Sequence, residues 1–371
     1  MPCAGVAAAT LWPHMRTLGH SNRRQFLKTS LMGGATLLAT RWSVSRAFVP
    51  AVPKVEPARS RVALTAGEDR ADLAYRGLKT FDKQLAAAIG NRRVIIKPNN
   101  VSIANQLSAS HRLNLEGILE FLRGIGKTNI AIAESAADGP TLDGFANYGY
   151  DRLAAKYGAK LLDLDQEGFE IVHCFDERDI RPHPCRMSKV LLDPNSFIIS
   201  AAKFKTHDRV VATLSLKNIV VGAPIKDAGF HWGPGAKPGA KTDKAITHGS
   251  GFRGINYNLY ALASRLHPHL SVIDGYEGME GEGPTGGTPV PQRVCVVSPD
   301  WLAADRVAVE LMGIDFGNVG YLNYCGQTGM GETDLSKIEI VGAALKEHVR
   351  TYKLAANLEQ QLIWKKPVGK A

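Results

Sequence analysis

The chain has 371 residues, of which 44% are hydrophobic and 22% charged, and a formal net charge of +10. That length allows one large or two modest domains, and the apolar content is that of a globular protein. The charge does not demand a nucleic-acid partner: Arg16, Arg23, Arg24, Lys28, Arg41 and Arg46 precede residue 48 with no Asp or Glu among them, so the remainder carries only +4. It has no basic run interleaved with aromatics, and no nucleic acid is expected to bind.

Near the amino terminus, Asn22-Arg23-Arg24-Gln25-Phe26-Leu27-Lys28 precedes a short apolar stretch at 30–40 that Gly33 and Gly34 dilute. The stretch is too short to anchor a protein permanently in a bilayer. Ser45-Arg46-Ala47 then offers a small-x-small cleavage pattern. Paired arginines, weak apolar run and small-residue site, in this order, predict a twin-arginine export signal over 1–47. The expected partner is the twin-arginine translocase, and the expected destination is the periplasm, reached in a folded state. No second long apolar segment follows, so no permanent membrane span is expected.

Residues 48–60 (FVPAVPKVEPARS) read as a Pro-rich extended linker. An α/β domain is predicted over 61–345, followed by a C-terminal tail at 346–371. Strand patterns occur at 61–66, 93–97, 129–134, 160–163, 196–202, 270–274 and 294–298. Helical spacing occurs at 72–89, 115–125, 150–157 and 301–312, with Gly90 placed to cap the first of these. Alternating strands and helices, with unbroken apolar strands, predict an α/β fold whose largely parallel or mixed sheet carries helices on both faces.

In a parallel sheet the carboxyl ends of the strands share one edge, and ligands bind in the crevice there. Four predicted strands run into polar groups. They are Lys97-Pro98-Asn99-Asn100, Glu134-Ser135, Lys203-Phe204-Lys205-Thr206-His207, and the acidic stretch that begins at Asp274. Two basic and two acidic ends are therefore expected to converge on one cavity. Lys97, Asn99, Lys205 and Asn218 are the candidate ligand-binding groups, suited to a small anionic ligand. His207 and Lys217 are the candidate catalytic pair, for proton transfer and for anion positioning or nucleophilic attack. Joint action requires a bend. Ten residues of strand at about 3.3 Å each would separate the pair by roughly 33 Å, and a helix by roughly 15 Å. A reversal near Thr213 is expected.

Asp274, Glu277, Glu280 and Glu282 alternate with Gly275, Gly278, Gly281 and Gly283. The spacing matches neither an EF-hand, a P-loop nor a dinucleotide fingerprint. It does offer hard oxygen donors on a turning backbone, so His248, Asp274 and Glu280 are the expected ligands of a divalent metal ion. Residues 229–251, rich in Gly and Lys, read as a lid or a disordered surface loop. Cys174, Cys185, Cys295 and Cys325 lack CxxC spacing, and no iron–sulfur cluster is expected. Cys174 and Cys185 are close enough in sequence to pair, or to stay as buried thiols.

Several of these segments resemble the blocks of the family called domain of unknown function 362. They are Ile96-Lys97-Pro98-Asn99, Lys203-Phe204-Lys205-Thr206-His207, and Thr213-Leu214-Ser215-Leu216-Lys217-Asn218 with Gly222. Asp274-Gly275, Gly278-Met279-Glu280-Gly281-Glu282-Gly283-Pro284, Gly287, Asp300 and Ala304-Asp305 with Leu311-Met312-Gly313 continue the series in order. The resemblance implies an α/β fold of prokaryotic proteins, some with an appended ferredoxin-like domain whose cysteines this chain lacks. It implies positions but no reaction. The expectation from the residues is an exported, metal-assisted enzyme acting on a small carboxylate- or phosphate-bearing molecule. The alternative is a periplasmic ligand-binding or redox-partner protein without turnover.

Overall fold

The computed structural model describes residues 59–232 and 235–368. The expected export signal and most of the linker lie outside them. Eleven strands are present among the described residues: β1 Ser60–Ala66, β2 Arg93–Lys97, β3 Ile130–Glu134, β4 Lys160–Asp163, β5 Phe169–Asp176, β6 Arg181–Ser188, β7 Ser196–His207, β8 Val211–Thr213, β9 Leu270–Glu282, β10 Gly286–Ser298 and β11 Ile338–Gly342. The main sheet has the order β11-β1-β10-β9-β7-β2-β3-β4, with β8 added beside the end of β7. Along that order only β10 runs against its neighbours, so the sheet is mixed and largely parallel, as expected.

The two-residue period of the strands sends alternate side chains to two separate cores. Val94, Ile96, Phe197, Ile199 and Val272 pack under the helices Arg70–Lys79, Asp82–Ile89 and Arg112–Gly124. Ile95, Ile198, Ile273 and Val296 face the helices Ser215–Val220, Phe252–Ala263 and Trp301–Leu311 on the other side. The single helix expected over 72–89 is two helices. Phe81, 3% exposed and outside helical geometry, breaks them by turning its ring into the core.

Two strands run further than their apolar cores predicted. All of β7 is buried as far as His207, because β9 flanks it and its polar end is paired. The acidic glycine stretch is the second half of β9, paired with β10 in a hairpin, with Gly278 opposite Val290 and Glu280 opposite Thr288. Gly278 is required by a close approach: a Cβ there would sit 2.0 Å from Tyr352 Oη. The β5–β6 hairpin has no counterpart in the strand patterns read above, since Pro182 and Pro184 argue against a strand; it forms its own two-stranded sheet. Cys174 and Cys185 lie in it as free, buried thiols.

The Gly/Lys-rich stretch is pinned where it is described. Asp243 N donates to Ile225 O, the guanidinium of Arg186 holds both Asp227 and Asp243, and a short helix forms at Lys244–Thr247. The segment expected as a tail packs on the body. Tyr352 is buried with its hydroxyl on Gln292 Oε1, and Arg350 N donates to Leu311 O. No helix among the described residues is long and apolar enough to cross a membrane.

Candidate functional site

A cavity of about 570 Å³ opens at the carboxyl ends of β2, β3 and β7, where a largely parallel sheet is expected to bind ligands. Lys97, Asn99 and Asn100 reach it from the end of β2, Glu134 and Ser135 from β3, and His207 from β7. Lys217 and Asn218 come from the helix Ser215–Val220, and Lys244 and His248 from the segment expected as a lid.

His207 and Lys217 share this cavity because the chain reverses between them. β8 lies antiparallel to the end of β7, with Lys205 opposite Thr213 and His207 opposite Val211. The reversal begins earlier than expected, at 208–210, and the backbone breaks again at Leu214 to start the helix. The turn is strained. Ala212 N donates to Val210 O across Val211, whose φ of 68° is a region that β-branched residues rarely occupy. Two groups from the carboxyl-terminal segment hold it. Gln361 Oε1 accepts Val211 N at 2.6 Å, and Asn357 Nδ2 donates to Asp208 O at 2.8 Å.

The four candidate ligand-binding residues form a closed network. Lys97 Nζ donates to Glu134 Oε1 at 2.6 Å, Pro98 O at 3.0 Å and Asn218 Oδ1 at 3.2 Å, which uses all three of its protons. Lys205 Nζ donates to Asn99 Oδ1 and to Ser108 O. Asn99 Nδ2 donates to Asn218 Oδ1, and Asn218 Nδ2 to Lys97 O and Ser200 Oγ. Glu134 also takes the amides of Asn100 and Ser135. Gly222 lets Lys97 lie flat there, since a Cβ would fall 2.1 Å from Lys97 Cε. Burial lowers the pKa of both lysines, and Glu134 opposes the shift at Lys97. Lys97, Asn99 and Asn218 therefore line the floor of the cavity, with Lys205 buried behind Asn99, and few of their hydrogen bonds are left for a ligand.

The open groups are the candidate catalytic ones. Lys217 is 6% exposed, lines the cavity and has no hydrogen bond or ion pair among the described residues. Burial lowers its pKa to about 8, partly offset by Asp208. Asn100 Nδ2 and Thr213 Oγ1, both buried on the cavity wall, also lack partners. Lys244 donates to Gly222 O and Pro224 O, and burial lowers its pKa to about 7 against the pull of Asp165 and Glu134.

The two histidines are held neutral and in opposite tautomers. Burial first, and Lys217 second, push His207 well below its usual value and His248 down to about 4. His207 Nδ1 lies 2.9 Å from Arg209 N and 3.1 Å from Asp208 Oδ1. These neighbours make opposite demands. The backbone amide is a fixed donor, whereas the Asp208 side chain is 43% exposed and free to turn to water. His207 Nδ1 therefore accepts, and its proton sits on Nε2. His248 Nδ1 is 2.6 Å from Lys244 O, which only accepts, so that nitrogen carries the proton and Nε2 keeps a lone pair.

The expected metal ligands do not come together. Of His248, Asp274 and Glu280, only His248 lines the cavity. Asp274 follows the strand period to the opposite face of the sheet, where its carboxylate is 3.6 Å from Arg70 Nε and accepts Tyr276 N. Glu280 accepts Lys353 N at 2.8 Å and Glu282 accepts Ala356 N at 2.7 Å, so these acids dock the carboxyl-terminal segment. No group of three or more His, Cys, Asp or Glu suited to a metal ion occurs among the described residues. His248, Asp274 and Glu280 are therefore too scattered to serve as donors to one ion.

Sequence reasoning missed Lys244, Gln361 and Asp305 as parts of the site. Asp305 accepts the amides of Ser215 and Leu216, and so sets the start of the helix that carries Lys217. Its place beside Ala304 in a motif block was the available signal. Gln361 left none.

The family model described as Domain of unknown function (DUF362) matches residues 94–310. A thylakoid-associated protein of Synechocystis sp. is 29% identical over 131 residues, which is 35% of this chain and 36% of that protein. The chain thus spans about a third of that relative's length. A crystal structure of a protein from Thermotoga maritima superposes with a TM-score of 0.38 at 13% identity, covering 67% of this chain and 60% of that one.

Proposed function

Because the chain belongs to the DUF362 family over residues 94–310, the stretch that supplies most of the cavity wall, we propose that it is an enzyme acting on a small carboxylate- or phosphate-bearing molecule bound in that cavity. The observation that carries this reading is Lys217. Its amine is buried on the cavity wall without a partner among the described residues, whereas Lys97 and Lys244 beside it donate to protein oxygens. An unpaired buried cation is costly unless something of opposite charge joins it. Lys217 holds the anion, with Asn100 Nδ2 and Thr213 Oγ1 as further donors. His207, protonated at Nε2, donates a hydrogen bond to the substrate oxygen, and His248, with Nε2 free, takes a proton.

The test is calorimetric titration of the full chain with pyruvate, malonate, inorganic phosphate and phosphoglycolate. At least one should bind, and Lys217→Met should weaken that binding at least tenfold with the circular dichroism spectrum unchanged. Equal binding to the variant would overturn the reading. Binding without any chemical change of the bound molecule would leave a carrier in place of an enzyme.

The proposed setting is the periplasm, reached through the twin-arginine translocase. Its support is the Arg23-Arg24 pair, the diluted apolar run and the Ser45-Arg46-Ala47 pattern. Replacing Arg23 and Arg24 by Lys should block export and cleavage near Ala47; unchanged export would refute it.

A further inference from the structure

Resting on that reading of the cavity, we propose that Lys217 captures its substrate covalently, forming an imine with the carbonyl carbon of a small keto or aldehyde acid. A nucleophilic amine needs a free lone pair, and the surroundings of a lysine decide whether it has one. Lys97 is held as an ammonium by three acceptors, one of them the Glu134 carboxylate, and Lys205 donates to two oxygens. Lys217 faces the cavity with no hydrogen-bond acceptor among the described residues, and Asp208, whose charge acts on it, makes no ion pair with it. Burial brings it to about 8, so about a tenth of the amine is unprotonated at pH 7.

The walls supply the remaining requirements. Imine formation joins nitrogen to carbon, breaks the carbon–oxygen double bond and releases one water, with no change in oxidation state. The nitrogen must lose two protons and the departing oxygen must gain two. His248 Nε2 accepts a proton from the attacking nitrogen and passes it to the carbonyl oxygen, which His207 Nε2–H polarises by a hydrogen bond, as the carbinolamine forms. His248 Nε2 then takes the second nitrogen proton and returns it to the hydroxyl, which leaves as water, so both rings end in their starting tautomers. Fixed opposite tautomers suit this exchange, since one ring is a donor and the other an acceptor before the substrate arrives. Asn100 Nδ2 and Thr213 Oγ1 remain for the carboxylate.

The experiment is borohydride trapping on the full chain with pyruvate and, separately, glyoxylate as probes, followed by peptide mass spectrometry. The expected result is one reduced adduct, on the peptide that contains Lys217. It should be absent in Lys217→Arg, which keeps the positive charge, and formed at least tenfold more slowly in His207→Gln. Calorimetry on the same samples separates the two readings. Pyruvate that binds but leaves no adduct on Lys217 overturns the imine and leaves the anion site standing. Adducts spread over exposed lysines, equal in wild type and Lys217→Arg, overturn it as well. If neither binding nor trapping occurs with any probe, both readings fall.

Discussion

Asp305 accepts the amide of Ser215 at 2.8 Å with one carboxylate oxygen and that of Leu216 at 3.0 Å with the other. These are unpaired donors at the start of the helix that carries Lys217 and Asn218, so an acid on a different helix sets where the candidate nucleophile stands. Asp305→Ala would leave two buried amides without an acceptor. We expect a loss of about 2–4 kcal/mol in urea unfolding, together with weaker anion binding. A stable variant that binds as wild type would show that the helix start is held by other contacts. Burial raises the Asp305 carboxyl to about 7 despite the two amides. The folded state thus holds the extra proton between 3.8 and about 7, so this group's contribution to stability falls as pH rises through that window.

Glu134→Ala should be the most damaging change in the cavity floor. It strands the Lys97 ammonium, 1% exposed, without its only carboxylate. Breaking a buried pair from one side costs about 3–5 kcal/mol, whereas replacing both members by apolar groups of similar size is far milder. Lys97→Met with Glu134→Leu should therefore recover the part of the loss due to the stranded charge in denaturant titrations, leaving the cost of the Asn100 and Ser135 amides that Glu134 also accepts. A double variant worse than Glu134→Ala would contradict the view that the pair is structural.

Lys217→Met should behave in the opposite way. No hydrogen bond or ion pair compensates this amine among the described residues, Asp208 offsets its burial only in part, and its folded value of about 8 lies below its usual 10.5. The unfolded chain therefore holds the extra proton between those values, so wild-type stability gains from this group as pH rises from about 8 to 10.5. Below 8 the full penalty stands, of about 3 kcal/mol at most. The variant should be as stable as wild type or more so at pH 7, and should lack this gain in the alkaline range. A clear destabilisation at pH 7 would mean that Lys217 has a stabilising partner.

His248 sets an acid limit. Its folded value of about 4 against 6.5 means that the unfolded state holds the extra proton between them. Stability is lost as pH falls through that window, by about 3 kcal/mol below pH 4. His207 acts in the same direction. Thermal unfolding of His248→Gln across pH 4 to 7 should show a shallower decline than wild type. Parallel curves would show that His248 does not titrate on folding.

The convergence of β2, β3 and β7 was legible because apolar strands end abruptly in Lys97, Glu134 and the 203–207 cluster. A parallel sheet leaves such ends on one edge. The sharing of one cavity by His207 and Lys217 was legible as a condition, since only a reversal could bring them together. The closed state of Lys97 and Lys205 was not, because their acceptors include Ser108 O, 97 residues from Lys205, and Asn218 Oδ1, 121 residues from Lys97. The acidic glycine stretch misled for a similar reason. Its acids are occupied by backbone amides 73 and 74 residues further on, and Asp274 faces away because β9 continues its two-residue alternation through it.

The turn that brings Val211 beside His207 is secured by Asn357 and Gln361, near the other end of the amino-acid sequence. Synthesis on a ribosome proceeds from the amino terminus, so every wall of the cavity is translated well before the two side chains that lock its bend. Nascent chains that have not yet yielded residues 357–361 hold all the reactive groups but lack the two side chains that fix the bend between His207 and Lys217.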